Sequence, residues 1–224
     1  SHVKLSLLEK GPQGWMMVKG PFPARLGKSG LVWGRGVSSP PAEGPLKKEG
    51  DLRSPAGIFE LGGVYGTVPV PKKKRSMPYR RITPRDMWVD DPSSPLYNQH
   101  FVLKHDPVTP WEFKQQMKLN DYAHSLKLFI RHNAAGDQGH PVAGGGSSIF
   151  FHIWRRDGQA PTAGCTAMSE ENLRAMIAWL DPSKHPLYVL LPSREYLRLR
   201  KAWGLPCSWF PSCGGFSPQL YSLW

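Results

Sequence analysis

Gly144-Gly145-Gly146-Ser147-Ser148-Ile149-Phe150-Phe151-His152-Ile153-Trp154, then a loop, then Pro161-Thr162-Ala163-Gly164-Cys165, holds the densest signal in the chain. The apolar run after the glycines predicts a strand over Ser148–Trp154. Strand alternation puts Phe150, His152 and Trp154 on one face and Ile149, Phe151 and Ile153 on the other. A histidine on an aromatic strand face is ordinarily a satisfied core residue, and a cysteine beside glycine is ordinarily a packed small one. Thirteen positions apart across a single loop, the two form a different pattern, because a strand, a short excursion and a return bring His152 beside Cys165. A thiolate is a good nucleophile and a thiol a poor one, and an imidazolium in hydrogen-bond reach brings a thiol from ~8.5 to roughly 3.5–7.5. Gly164 permits a tight turn and close approach of a substrate carbonyl. N–H groups around Cys165 are then placed to act as an oxyanion hole, a device contributing ~2.7–4 kcal/mol per donor. The chemistry that fits is acyl transfer through a thioester.

Working outward, short apolar runs broken by turns predict further strands at Val3–Leu8, Gly14–Val18, Leu31–Trp33, Gly57–Leu61, Phe101–Lys104, Ser125–Arg131 and Leu187–Leu191. Ser169–Leu180 reads as a helix. Ser169 caps it, Glu170 and Glu171 suit its positive end, Leu173, Met176, Ile177 and Leu180 make one apolar face, and Asp181-Pro182 stops it. A second helix runs from about Ser193 to Trp203 before Gly204, and a shorter one is expected at Trp111–Lys118. No internal repeat and no linker appears. One mainly β domain over residues 1–224, with two or three peripheral helices and a Cys207/Cys213 C-terminal segment, is the expectation.

The 224 residues weigh 25.1 kDa, enough to bury a core without a disulfide scaffold. With 23 glycines and 23 prolines, turns are frequent and long helices few. No run approaches the ~18 apolar residues of a membrane span. The composition excludes a disordered chain, collagen, a coiled coil and an integral membrane protein. A net charge of +12 and a pI near 9.8 favour an anionic polymer as partner, whether nucleic acid, acidic membrane or cell wall. The chain opens with Ser1-His2, so a removed leader or a truncated start is expected. Cys207 and Cys213 are spaced for a short disulfide loop or stand as two thiols, and their spacing is poor for zinc. Gly27-Lys28-Ser29 resembles the tail of a phosphate-binding loop, but Phe22 stands where that loop requires glycine. Lys72–Arg81 carries six basic side chains in ten residues, which reads as a solvated loop or as a contact for an anionic polymer. No histidine pair has the spacing of a zinc hydrolase, so no metal is expected.

Phe151-His152-Ile153-Trp154 followed by Thr162-Ala163-Gly164-Cys165, with the upstream Lys47-Lys48-Glu49-Gly50-Asp51-Leu52-Arg53-Ser54-Pro55-Ala56-Gly57-Ile58-Phe59, resembles the L,D-transpeptidase catalytic domain, the YkuD-type fold. The upstream segment is similar to that family's E-G-D-x-x-[ST]-P-x-G-x-F signature, and Trp88-Val89-Asp90-Asp91-Pro92 and Tyr97-Asn98 are similar to one of its branches. The resemblance covers roughly residues 15–200. It implies a β-sandwich-like fold, no organic cofactor or metal, and an exported bacterial enzyme of the periplasm or cell wall that acts on peptidoglycan stem peptides. It implies that Cys165 attacks the donor carbonyl and expels the terminal D-alanine, and that His152 moves the protons. Thr162 falls at the Ser/Thr of the family's [ST]-H-G-C box and Gly164 at its glycine. The acyl group then passes to an amine of a second stem or to water. Nucleic acid is not an expected partner, and a monomer is expected.

The sequence departs from that pattern at Ala163, where the box has histidine, and at Ala167, where an arginine follows the cysteine. Both changes bear on substrate recognition, and Arg155 or Arg156 is a substitute for the arginine. Trp88, Asp91, Tyr97 and Asn98 are candidate groove residues, with a capped turn as the plainer reading. Tyr122 and His124 precede the Leu126–Ile130 strand, and His124 is either a second imidazole near Cys165 or a surface histidine. Two other functions stay open: the resemblance also allows an L,D-carboxypeptidase or other cysteine hydrolase trimming stems, and the basic composition allows a non-enzymatic binding module.

Overall fold

A computed structural model describes residues 1–40, 44–70, 76–134 and 139–206. The chain is mainly β, 35% strand against 16% helix, and three helices stand among the described residues, as the sequence led us to expect. Two compact units are present. The larger takes Ser1–Leu5 and Phe22–Leu190, and the smaller takes Ser6–Pro21 and the chain from Leu191 onward.

The larger unit is organised on β4 (Ser54–Gly66), which pairs antiparallel with β8 (Leu126–Ile130) and β11 (Leu187–Leu190) and parallel with β3 (Leu31–Trp33) and β5 (Tyr79–Arg81). From β8 the sheet continues through β9 (Phe150–Ile153), antiparallel, to β10 (Thr166–Met168), parallel. The Arg25 end of β2 (Gly14–Arg25) then pairs antiparallel with β10, and β1 (His2–Gly11) completes the order. A separate two-stranded ribbon joins β6 (Asp86–Trp88) to β7 (His100–Val102). The smaller unit contains the remainder of β1 and β2 and helix α3 (Ser193–Leu199).

Each strand read from the sequence is present, but β2 and β4 run well past their expected ends. Pro21, Pro23 and Gly62-Gly63 read as turn signals in isolation. In β4 the pairing register shifts between Leu61 and Val64, so a bulge absorbs the glycines without ending the strand. Three strands escaped the reading, β5, β6 and β10, each three residues long and too short to show alternation. Helix α1 (Pro110–Gln115) starts in a capping box between Thr109 and Glu112. Helix α2 (Glu170–Trp179) is capped by the Ser169 hydroxyl, which accepts from Asn172 N–H, and buries Leu173, Met176 and Ile177 as its periodicity requires.

The β8–β9–β10 registers decide which side chains meet. Lys127 lies opposite His152, Phe129 opposite Phe150, and Ala167 beside His152. By alternation Lys127, Phe129, Phe150, His152, Ala167 and the residue just before β10, Cys165, share one face. An aromatic cluster of Ile82, Trp88, Met117, Phe129 and Phe150 fills that face, and Cys165 packs against it.

Candidate active site

Cys165 is a free, half-buried cysteine just before β10. Its Sγ accepts from Phe150 N–H and donates to Ser148 C=O, both at 3.4 Å. Its backbone is held from below. The Thr162 hydroxyl donates to Cys165 C=O at 2.6 Å and accepts Gly164 N–H at 3.1 Å, while the Ser54 hydroxyl donates to the same carbonyl at 3.3 Å. Gly164 has φ +146, and a Cβ there would stand 2.9 Å from Arg53 C=O. Only glycine fits both the conformation and the space. The Gly164 N–H is thereby committed to Thr162 and is not a free oxyanion donor in this conformation.

The upstream signature explains itself as the floor of this turn. Asp51 accepts from Lys48 N–H, Arg53 N–H and Lys47 Nζ, the last at 2.6 Å. Burial pushes its carboxyl up, but those bonds carry it below its ordinary value. The loop so knotted delivers Ser54, whose hydroxyl also accepts Gly27 N–H.

His152 is almost wholly buried, and its Nδ1–H donates to Ile153 C=O at 2.7 Å, which leaves Nε2 as the basic nitrogen. His124 stacks on it, ring centroids 4.8 Å apart and 22° from parallel. The structure therefore places His124 against the catalytic candidate, not on open surface. Its Nδ1 faces the Asp121 carboxylate at 3.1 Å, and Arg155 Nε donates to the same oxygen, also at 3.1 Å. Burial, then the nearby His124 charge, lowers His152 to about 3. Burial, then Lys127, lowers His124 to about 4. Burial raises Cys165, against Phe150 N–H and the charges of Lys127, Lys47 and Arg155. At neutral pH both imidazoles are uncharged and the thiol is protonated.

The remaining sequence candidates are mostly committed to protein partners. Trp88 is buried against Phe129 and Phe150, with ring centroids at 4.4 and 4.8 Å, and its Nε1–H donates to Asn98 Oδ1. Asn98, buried with φ +54, also accepts Ser148 N–H and donates to the carbonyls of His132 and Asn133. Its amide is fully committed to protein partners. Tyr97 donates to Glu49 and accepts Gly146 N–H. Asp91 caps its turn through Ser93 and accepts from Trp111 Nε1. Tyr122 is exposed and donates to Glu170. Ala167 is buried beside His152. Of the basic stretch, residues 72–75 lie outside the described residues, and Arg80 is paired with buried Asp86. Cys207 and Cys213 also lie outside the described residues.

Sequence reading missed Asp121, Ser54 and Lys127. The signal for the last was present, a lysine at an inward position of Leu126-Lys127-Leu128-Phe129-Ile130. Among the described residues no group of three or more His, Cys, Asp or Glu is placed to hold a metal. No helix among them is long and apolar enough to cross a membrane.

Compared with known families, residues 18–189 match the L,D-transpeptidase catalytic domain, YkuD. Comparisons with curated proteins and with solved structures find no match.

Proposed function

The chain belongs to the L,D-transpeptidase catalytic-domain family, and from that premise we propose that it is an exported cysteine transpeptidase that cross-links peptidoglycan stem peptides. The family's chemistry is cysteine-dependent and acts on peptidoglycan. The observation that supports the reading is the shared sheet face of Cys165, just before β10, and His152 on the adjacent β9, two residues apart in register, with His152 Nδ1–H tied down and Nε2 left as the basic nitrogen.

In the first half-reaction the Cys165 proton passes to His152 Nε2 and Sγ attacks the donor carbonyl. The tetrahedral intermediate collapses to a thioester as the C–N bond breaks, and His152 returns the proton to the departing amine of the terminal residue. In the second, an amine of the acceptor stem attacks the thioester, His152 takes its proton, and Cys165 leaves and is reprotonated. Thr162, Gly164 and Ser54 act on this sequence by fixing the Cys165 backbone. Trp88, Tyr97 and Asn98 wall the site from behind, and Tyr122, beside the stacked His124, is on the solvent side where a stem would run. A surface with net charge +12 suits the anionic wall.

The test is mass spectrometry of purified tetrapeptide muropeptides incubated with wild type and with Cys165→Ala. Cross-linked dimers made only by the wild type support the proposal. Stems shortened without dimers, again only by the wild type, would make the protein a carboxypeptidase on the same scaffold, and equal products from both would remove the cysteine from the chemistry.

A further inference from the structure

Lys127 occupies a strand position that sequence patterning reserves for an apolar residue, and it is buried with 4% exposure. Its Nζ donates to Met117 C=O at 2.9 Å and lies 5.5 Å from the centroid of the Phe150 ring. That same Phe150 gives its N–H to Cys165 Sγ, and Lys127 pairs in register with His152. A buried ammonium is costly unless negative charge faces it. Among the described residues no carboxylate comes within 4.0 Å of Nζ, whereas the other cations near the thiol are already paired, Lys47 with Asp51 and Arg155 with Asp121.

Several charged or titratable groups face this space. Asp121 and His124 come from the turn before β8, His152 from β9, Arg155 from the loop after it, Lys47 from the signature loop, and Cys165 from the edge of β10. Both histidines are neutral at pH 7, so neither supplies a standing positive charge. Burial lowers Lys127 to about 8, against the opposing pull of Cys165 and then Asp121, so the ammonium persists at neutral pH. The coupling is mutual, since the Lys127 charge also favours ionised Cys165.

We propose that the Lys127 ammonium, sealed against the Phe150 ring, is the standing counter-charge of the Cys165 thiolate, a role that a histidine-based reading of the site would give to an imidazolium. Lys127 acts through space as a positioning residue and takes no proton from the substrate. The inference rests on Cys165 being the nucleophile, but its test needs no peptidoglycan, so failure of the cross-linking reaction and failure of this inference are separable.

The experiment follows iodoacetamide alkylation of Cys165 against pH by peptide mass mapping, in wild type, Lys127→Met and Lys127→Arg, with thermal unfolding confirming each fold. Lys127→Met is expected to slow alkylation at pH 7.5 by about tenfold or more and to move its midpoint upward, because an opposite charge nearby shifts a titration by one unit or more. Lys127→Arg is expected to stay within about threefold of wild type. A folded Lys127→Met protein with the wild-type alkylation profile overturns the proposal.

Discussion

Thr162 and Gly164 hold the nucleophile by its backbone, and single-atom changes there are the sharpest probes of the site. Thr162→Val keeps the shape but removes the hydroxyl that donates to Cys165 C=O and accepts Gly164 N–H. It leaves Gly164 N–H without that partner and Cys165 C=O with the Ser54 hydroxyl alone, a loss of about 1–3 kcal/mol. We expect a denaturation midpoint lowered by that amount and a kcat reduced more than KM is raised. A midpoint equal to wild type would show that the hydroxyl is dispensable. Gly164→Ala meets both a positive φ and Arg53 C=O at 2.9 Å, so the turn must open. The expected result is loss of turnover with a fold weakened by about 2 kcal/mol or more, read by muropeptide assay and chemical denaturation.

At the scale of elements, the ribbon of β6 and β7 reaches the nucleophile through Asn98. The Asn98 amide binds Trp88 Nε1, Ser148 N–H and two carbonyls, and Ser148 C=O in turn accepts from Cys165 Sγ. All four of its hydrogen-bonding positions are used. Asn98→Ala is expected to cost at least about 3 kcal/mol, since it strands buried groups on three segments. Asn98→Asp, of the same shape, is expected to be nearly as damaging because it turns two donors into acceptors facing carbonyls. If Asn98→Asp unfolds like wild type in a urea titration, the ribbon does not brace the site. The sequence made β9 and α2 legible because alternation and a cap are local signals. It could not reveal that Asn98 is a brace, since three of its four partners lie 34 to 50 positions away. For the same reason β10 was invisible. Three residues carry no period, and it is a strand only because β9 and β2 accept it as a neighbour. His124 looked like a surface residue because nothing in Asp121–Ser125 announces that the turn folds onto β9.

For the molecule as a whole, three histidines, two buried and one half-buried, set the acid limit. Burial first, with neighbouring charges after it, lowers His124 to about 4 and His152 to about 3. Burial against the Gly145 carbonyl bond, then Lys47, leaves His132 at about 3. Each has a folded value below its unfolded value near 6.5, so between about 4 and 6.5 the unfolded chain binds protons that the native one does not. Stability is therefore complete above about 6.5 and withdrawn as pH falls, with a slope of up to about 4 kcal/mol per unit for three sites. Urea unfolding from pH 7.5 to 4.5 reads this directly. Replacing His132 by a neutral residue would be expected to flatten the curve by about a third, and a native state equally stable at both ends would show that the imidazoles are not held neutral.

The central claim is that Cys165 carries the donor acyl group, and its most direct test is the intact mass of the protein after brief exposure to a tetrapeptide stem. We expect the wild type to gain the mass of the stem less its terminal alanine, on the peptide containing Cys165, and to lose that mass on adding hydroxylamine or an acceptor amine. Cys165→Ser is expected to gain nothing. Turnover of the stem without any adduct on Cys165, or an equal adduct on the Cys165→Ser protein, would contradict the account.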